Sequence, residues 1–135
     1  MTNIFVFDAN SLISANLLPH SVSRRAYDKA RQIGIPVYSD VTFAEFSETF
    51  VRPKFDKYLS FKERLIAINA FEKAGQHIVV FNRINVCRDP KDNKYLELAV
   101  DSGASCIITG DLDLLILNPF QGIRILRPDQ FLAEF

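Results

Sequence analysis

Short apolar runs alternate along the chain with longer stretches whose apolar residues recur at helical spacing. "NIFVFD" is a compact apolar run ended by an acid, and in "NSLISANLL" behind it Leu12, Ile13, Leu17 and Leu18 have helical spacing. A strand therefore feeds a helix. Ser21 is placed to cap a second helix through "SVSRRAYDKARQI", with Gly34 as its stop, Pro36 beyond and "PVYS" as the next strand. "DVTFAEFSETFV" sets Phe43, Phe46 and Phe50 on one helical face and ends before Pro53. Ser60 opens "FKERLIAINAFEKAG", which Gly75 closes. "HIVVF" reads as a strand, "DNKYLELAVDSG" as a helix with Asp92 near its start, "SCIIT" and "GIRIL" as the last two strands, and "PDQFLAEF" as a short helix. Strands separated by helices predict a parallel α/β sheet covered on both faces. No internal repeat, low-complexity segment or linker interrupts the pattern, so residues 1–135 read as a single domain.

Composition removes several classes of function. The chain is 48% hydrophobic and 12% aromatic, enough apolar material for one core. Sixteen Lys and Arg balance sixteen Asp and Glu, so there is no global positive field, and any polyanion must be held by local patches. Cys87 and Cys106 are too few for a disulfide scaffold, and Cys106 lies inside an apolar run; both read as reduced thiols of a cytoplasmic protein. The opening "MTNIFVFDAN" lacks the basic and apolar regions of a signal peptide, and no window approaches a membrane span.

The chemistry lies in the acids. Asp8 ends the first strand, Glu45 lies on the helix after "VYS", Asp92 opens the helix after "CRDPK", and Asp111 and Asp113 follow "CIIT". In a right-handed parallel sheet the C-terminal strand ends share one rim, so these acids can meet in one crevice. Asp92 taken alone reads as a helix cap, favourable by about 1 kcal/mol. As a group the acids demand more, because two carboxylates about 5 Å apart repel by roughly 3 kcal/mol at an effective dielectric near 20. The sequence sets no Lys or Arg aside for each of them, so such a cluster holds either protons or a cation. An all-oxygen set suits Mg²⁺ or Mn²⁺, whereas Zn²⁺ calls for Cys or His. His20 and His77 fall in loop or strand-start contexts away from the acids and read as surface residues. A divalent ion on carboxylates activates a water and stabilises charge on a phosphoryl group, which points to phosphodiester hydrolysis. No Ser, Cys or His stands in a nucleophilic constellation, so water is the expected attacker.

At "VFDANSLISANL", "SDVTFAEFSETFVRPKF", "DPKDNKYLELAVDSGASCIITGDLDLL" and "IRILRPDQFL" the sequence resembles the PIN-domain ribonucleases, and within them the toxin-like branch of prokaryotic toxin–antitoxin systems. The resemblance implies a three-layer α/β/α fold with a short, mainly parallel sheet. It makes Asp8, Glu45, Asp92 and Asp111 the acidic quartet that serves divalent metal, with Asp8, Asp92 and Asp111 as ligands and Asp113 as an accessory acid. Asn10 and Thr109 match the small polar residues that support the first and last strand exits. Gly110 is expected to allow the tight turn, and Thr109 to orient a carboxylate or a water. Glu48 lies one turn beyond Glu45, but the distance from Ser39 makes Glu45 the closer match; Asp89, before Pro90, is read as shaping its loop. The resemblance further implies an endoribonuclease that uses Mg²⁺ or Mn²⁺, an RNA substrate, a cognate antitoxin protein and a homodimer.

Aromatic and basic residues complete the picture. Phe43, Phe46, Phe50, Phe55, Tyr58 and Phe61 are numerous for one small core, which leaves core packing and a dimer face both open. Arg24, Arg25, Lys29 and Arg31 cluster on one helix, and Arg52, Lys54, Lys57, Lys62 and Arg64 interleave with aromatics. Of these Arg52, Lys54 and Lys57 are the candidate RNA contacts, with Phe55 or Tyr58 as stacking platforms for unpaired bases. A phosphate-receiving regulatory domain would need a middle-strand Asp and a later Lys that "FNRIN" and "GIRIL" do not supply, and a haloacid-dehalogenase-type phosphatase would need an Asp where Asn10 stands. A non-catalytic domain of the same family that binds RNA or protein is the remaining alternative; its mark would be a missing acid.

Overall fold

The computed structural model describes residues 2–135. Five strands form one all-parallel sheet: β1 (Asn3–Phe7), β2 (Gly34–Tyr38), β3 (Gln76–His77), β4 (Cys106–Ile108) and β5 (Arg124–Leu126), in the spatial order β3-β2-β1-β4-β5. Among the described residues seven α-helices cover it: α1 (Ala9–Leu17), α2 (Val22–Ile33), α3 (Asp40–Phe50), α4 (Phe61–Ala74), α5 (Asn93–Ser102), α6 (Leu112–Leu115) and α7 (Pro128–Glu134). No described helix is long and apolar enough to cross a membrane.

Alternation along the strands divides the interior into two apolar layers. Phe5, Phe7, Cys106, Ile108 and Leu126 face a layer filled from α1, α2, α3, α4 and α7 by residues such as Leu12, Ala26, Phe46, Phe71 and Phe131. Val6, Val37, Ile107 and Ile125 face the opposite layer, filled by Tyr95, Leu96, Leu98 and Ala99 of α5 and Leu114 of α6. Strands buried on both faces are apolar without interruption, which is why each reads as a run rather than an alternation. The result is the three-layer α/β/α sandwich that the sequence predicts.

Capping follows the sequence closely. Ser21, Ser39 and Ser60 each accept a backbone N–H of the first helical turn, from Arg24, Thr42 and Glu63 respectively. Gly34 ends α2 but also begins β2, and a Cβ there would stand 2.3 Å from the Asn3 carbonyl oxygen. Close approach of two strands, rather than a turn, requires this glycine.

One predicted strand is mostly absent. In "HIVVF" only His77 belongs to β3, because the chain beyond it leaves the sheet and runs along α5. There its backbone N–H groups are taken by side chains spaced four apart on that helix. Asp101 accepts from Phe81 and Asn82, Glu97 from Ile84, and Asn93 from Val86 and Cys87. Helix α6, four residues long, is too short to leave a periodic signal and was not anticipated.

The strand order reverses direction at β1. From β1 the chain steps outward to β2 and β3, then crosses to β4 on the other side, so β1 and β4 are neighbours although about a hundred residues separate them. Their C-terminal ends flank the topological switch point, where open α/β sheets leave a crevice. Asp8 follows one strand and Asp111 the other.

Candidate metal centre

Asp8 is buried at the foot of the crevice and caps α1, its Oδ1 accepting the Ser11 N–H at 2.9 Å. Its Oδ2 accepts the Thr109 hydroxyl at 2.6 Å, and the Thr109 oxygen in turn accepts the backbone N–H of Asp111 at 2.9 Å. One hydroxyl thereby links the exits of β1 and β4. Burial pushes the Asp8 carboxyl above its ordinary value, against the pull of hydrogen bonds from Ser11 and Thr109, and the nearby Asp111 charge adds to the rise.

Across the crevice Asp92, Asp111 and Asp113 bring carboxylate oxygens within 4.8 Å of one another. Asp111 caps α6 by accepting the Asp113 N–H at 2.8 Å. Asp92, by contrast, makes no capping bond at the start of α5, and its Oδ2 is buried without a hydrogen-bond partner. The cap that its position suggests is not formed. Burial, then the neighbouring Asp111 carboxylate, then Asp89 and Glu45, raise the Asp92 carboxyl to about 7. Asp89 caps the short 3-10 turn at Pro90–Asp92 through the Lys91 N–H, the loop role that the sequence suggests for it.

Glu45 approaches from α3. Its Oε2 receives the Lys94 ammonium at 2.7 Å, and its Oε1 the Tyr95 hydroxyl. The expectation that no cation is reserved for these acids is thus corrected at Glu45, which has Lys94. The Tyr95 oxygen also accepts the Ala9 N–H at 3.1 Å, tying the start of α1 to α5. Burial and the Glu45 carboxylate push the Tyr95 phenol far above its ordinary range, so it acts as a neutral donor. Lys94 and Tyr95 escaped the sequence reading, though their place one turn into the helix that Asp92 opens is a usable signal. Glu48 lies elsewhere, in a separate pocket with Tyr38, Glu72 and His77.

Two cavities open from the centre and share Asp8, Asn10 and Asp111. One, of about 340 Å³, is also lined by Glu45, Asp92, Arg52, Lys54 and Lys91; the other, of the same volume, by Ser11, Ser14, Ser23, Gly110 and Pro128. Arg52 and Lys54 therefore face the acids, joined by Lys91, whose position the sequence did not single out. Lys57 does not line the crevice; its ammonium lies 5.2 Å from the Tyr58 ring centre. Phe55 is half-buried, edge-on against Phe50 with the Lys54 ammonium 5.1 Å from its ring centre, whereas Tyr58 is exposed. Arg64 is fully buried and donates to the carbonyls of Phe50 (2.8 Å) and Arg52 (3.0 Å) and to Asp56, so it is a structural tie and not an RNA contact. On α2, Arg24 pairs with Asp28 at 3.1 Å and Lys29 donates to the Leu132 carbonyl at 3.1 Å.

One expectation about local chemistry changes. Gly110 has no left-handed backbone, so the turn does not need a glycine; it is held by the Thr109 hydroxyl on the Asp111 N–H. His77 is exposed, as expected, and its Nε2 lies 2.7 Å from the Oδ1 of Asp40, an acid that does not line the crevice. Both cysteines are buried free thiols. Burial and the charges of Asp92, Asp111, Asp113 and Asp89 push Cys87 up to about 11, so it stays protonated and offers no soft ligand to the centre.

The donor set tests which cation the centre suits. A buried carboxylate oxygen with no partner, beside two further carboxylates, wants positive charge, and oxygen-only ligands fit a hard divalent ion. A parallel α/β sandwich with a carboxylate cluster at its switch point, ready for a divalent metal, is the class that fold and site define. The chain belongs to the PIN domain family: the family's profile matches residues 5–113. PIN domains are generally nucleases and typically use divalent metals. The chain is also 33% identical over 140 aligned residues to the uncharacterized protein MJ1680 of Methanocaldococcus jannaschii, covering 96% of this chain and 90% of that one. It superimposes on the crystal structure of PAE2754 from Pyrobaculum aerophilum with a TM-score of 0.64 at 14% identity, covering 97% and 88% of the two chains, a likeness of fold.

Proposed function

We propose that this protein is a divalent-metal-dependent endoribonuclease, the toxin component of a toxin–antitoxin pair. The observation that carries the nuclease reading is the unpartnered, buried Asp92 Oδ2 among the carboxylates of Asp111 and Asp113. Asp92, Asp111 and Asp113 would hold the ion together with Asp8, whose orientation Thr109 maintains. When bound, Mg²⁺ or Mn²⁺ acidifies a water for attack on phosphorus and offsets charge on the non-bridging oxygens. The chain's own part is to position these groups. Lys94 and Tyr95 restrain Glu45 at the crevice wall, and Arg52, Lys54 and Lys91 supply cations for the phosphates flanking the scissile bond. Cys87, buried and protonated, offers no thiolate to compete with water. The toxin assignment and a cognate antitoxin rest on the resemblance of the sequence motifs, and a cytoplasmic location on the two free cysteines. Exposed Tyr58, Phe61, Leu65 and Ile66, on and just before α4, support the homodimer.

The test is cleavage of a mixed RNA pool by purified protein with Mn²⁺, with and without EDTA. Asp111→Asn keeps the shape and loses a charge, so its rate should fall at least about a hundredfold, as expected when several kcal/mol of transition-state stabilisation are lost. Asp113→Asn should be hurt less and Asp89→Asn hardly at all. No cleavage by the wild type, or an Asp111→Asn rate equal to it, favours a binding-only domain.

A further inference from the structure

The two cavities that share Asp8, Asn10 and Asp111 are alike in volume, about 340 Å³ each, and opposite in character. One carries Arg52, Lys54 and Lys91. The other has no Lys or Arg on its wall and adds Ser14 and Ser23 to the shared Asn10. A phosphate entering that second chamber would meet the Asp8 and Asp111 carboxylates with no cation to offset them. Hydroxyls and an amide both donate and accept, which matches a sugar hydroxyl or a base edge. Pro128, the first residue of α7, adds an apolar surface to the same wall.

Gly110 provides an independent observation. It lines this chamber, its backbone is not left-handed, and a Cβ built on it would meet no atom within 4 Å. Neither strain nor close packing accounts for a glycine there; a side chain at this position would stand in open space beside the chamber. The chamber's volume also lies within the range of small-molecule sites.

We propose that this chamber, which has no Lys or Arg on its wall, is a nucleoside subsite. It takes the unpaired ribonucleoside next to the scissile phosphate, while the cationic cavity takes the phosphates on the other side. The inference rests on the ribonuclease reading and adds to it a direction for the strand and a source of selectivity. Asn10, Ser14 and Ser23 contact the base edge and the 2′-hydroxyl, and α1 and α2, which carry them, are packed against each other and fixed before substrate arrives.

The test uses short oligoribonucleotides with a single cleavage site, varied through all four bases and through 2′-deoxy replacement at each nucleotide flanking the cut, in Mn²⁺. A chemically activated phosphodiester without nucleosides, bis(p-nitrophenyl) phosphate, is run alongside. Wild type should discriminate by at least about tenfold at one flanking position, by base or by 2′-deoxy replacement, because a site built for hydrogen bonding rejects an analogue that lacks the group. Gly110→Leu, at the chamber's edge, and Ser14→Leu, on its α1 wall, should each flatten that discrimination and raise KM for the oligonucleotide. Folding of both is checked by thermal melting, and either folded variant suffices. An unaltered flanking profile in a folded variant overturns the subsite while leaving the ribonuclease reading intact. Failure of the wild type to hydrolyse either the RNA or the small diester overturns that reading, and the subsite with it.

Discussion

The Thr109 hydroxyl joins two acids that arrive from opposite ends of the chain, donating to Asp8 Oδ2 at 2.6 Å while accepting the Asp111 N–H at 2.9 Å. Thr109 is fully buried and Asp8 nearly so, so neither bond can be replaced freely by water. The shared oxygen sets the separation of the exits of β1 and β4, and hence the geometry of the crevice. Thr109→Val keeps the shape and removes both bonds. It should cost about 1–3 kcal/mol of stability and weaken divalent-metal binding, whereas Thr109→Ser should retain both. Chemical denaturation in the absence of metal and titration calorimetry with Mn²⁺ read the two effects separately; a Val variant equal to wild type in both would remove Thr109 from the site.

Tyr95 has a similar bridging role on the other wall. Tyr95→Phe leaves the Ala9 N–H without an acceptor and deprives Glu45 of one of its two donors. A loss of about 1–3 kcal/mol in unfolding free energy is expected in urea denaturation, together with a fall in kcat; a Phe variant equal to wild type in both would remove Tyr95 from the site. Lys94→Met should leave Glu45 more mobile and its charge unbalanced, raising the repulsion felt by Asp92. A Lys94→Met protein whose cleavage rate matches wild type from pH 6 to 8 would show the ion pair to be incidental.

The raised Asp92 carboxyl gives a pH dependence with a definite sign. Its folded value of about 7 lies above the ordinary carboxylate value near 4, so between these limits the native state holds a proton that the unfolded chain has released. This contribution to stability is complete below pH 4 and is lost as pH rises through about 7. Metal-free protein should therefore melt at a lower temperature at pH 8 than at pH 6, and Asp92→Asn should flatten the difference. Divalent metal should act in the opposite direction, binding more tightly as pH rises because it displaces that proton, and raising the melting temperature most at pH 8. Melting curves at both pH values, with EDTA or millimolar Mg²⁺, check each part; an Asp92→Asn protein with the wild-type pH slope would refute the assignment.

Arg64 predicts an effect on stability well away from the acids. Its guanidinium joins the end of α3, the turn at Pro53–Phe55 and α4 through the Phe50 and Arg52 carbonyls and Asp56. Arg64→Met fills much of the same space but takes the guanidinium from the Phe50 carbonyl and leaves the Arg52 carbonyl with only the Phe55 N–H, so a loss of about 1–3 kcal/mol is expected. Asp56→Asn should cost far less, since Asp56 is largely exposed. Urea unfolding of both variants decides it, and equal losses would mean that the exposed pair, rather than the buried carbonyl bonds, holds the segment.

The order of strands and helices, the Ser21 and Ser60 caps and the placing of Asp8, Asp92 and Asp111 at element boundaries were legible in the sequence. Each depends on residues within a turn or two of one another: an apolar run, a 3.6-residue period, a hydroxyl before a helix. The acids could be counted and assigned to one rim because every strand of a parallel sheet ends on the same side. The tertiary structure decided what they meet. Glu45 finds Lys94 and Tyr95 some fifty residues away, and Asp8 finds Thr109 at a separation of 101. Asp92 forgoes the cap its position suggests because the preceding 3-10 turn already gives it helical backbone, whereas a capping residue needs an extended one. The same holds for the segment after His77, whose apolar run resembles a strand but whose N–H groups are taken by the side chains of α5. A local pattern reports which backbone conformation a segment favours. Which buried groups share a hydrogen bond or a charge depends on the crossing from β3 to β4 that makes β1 and β4 neighbours, and only the packed sheet supplies that.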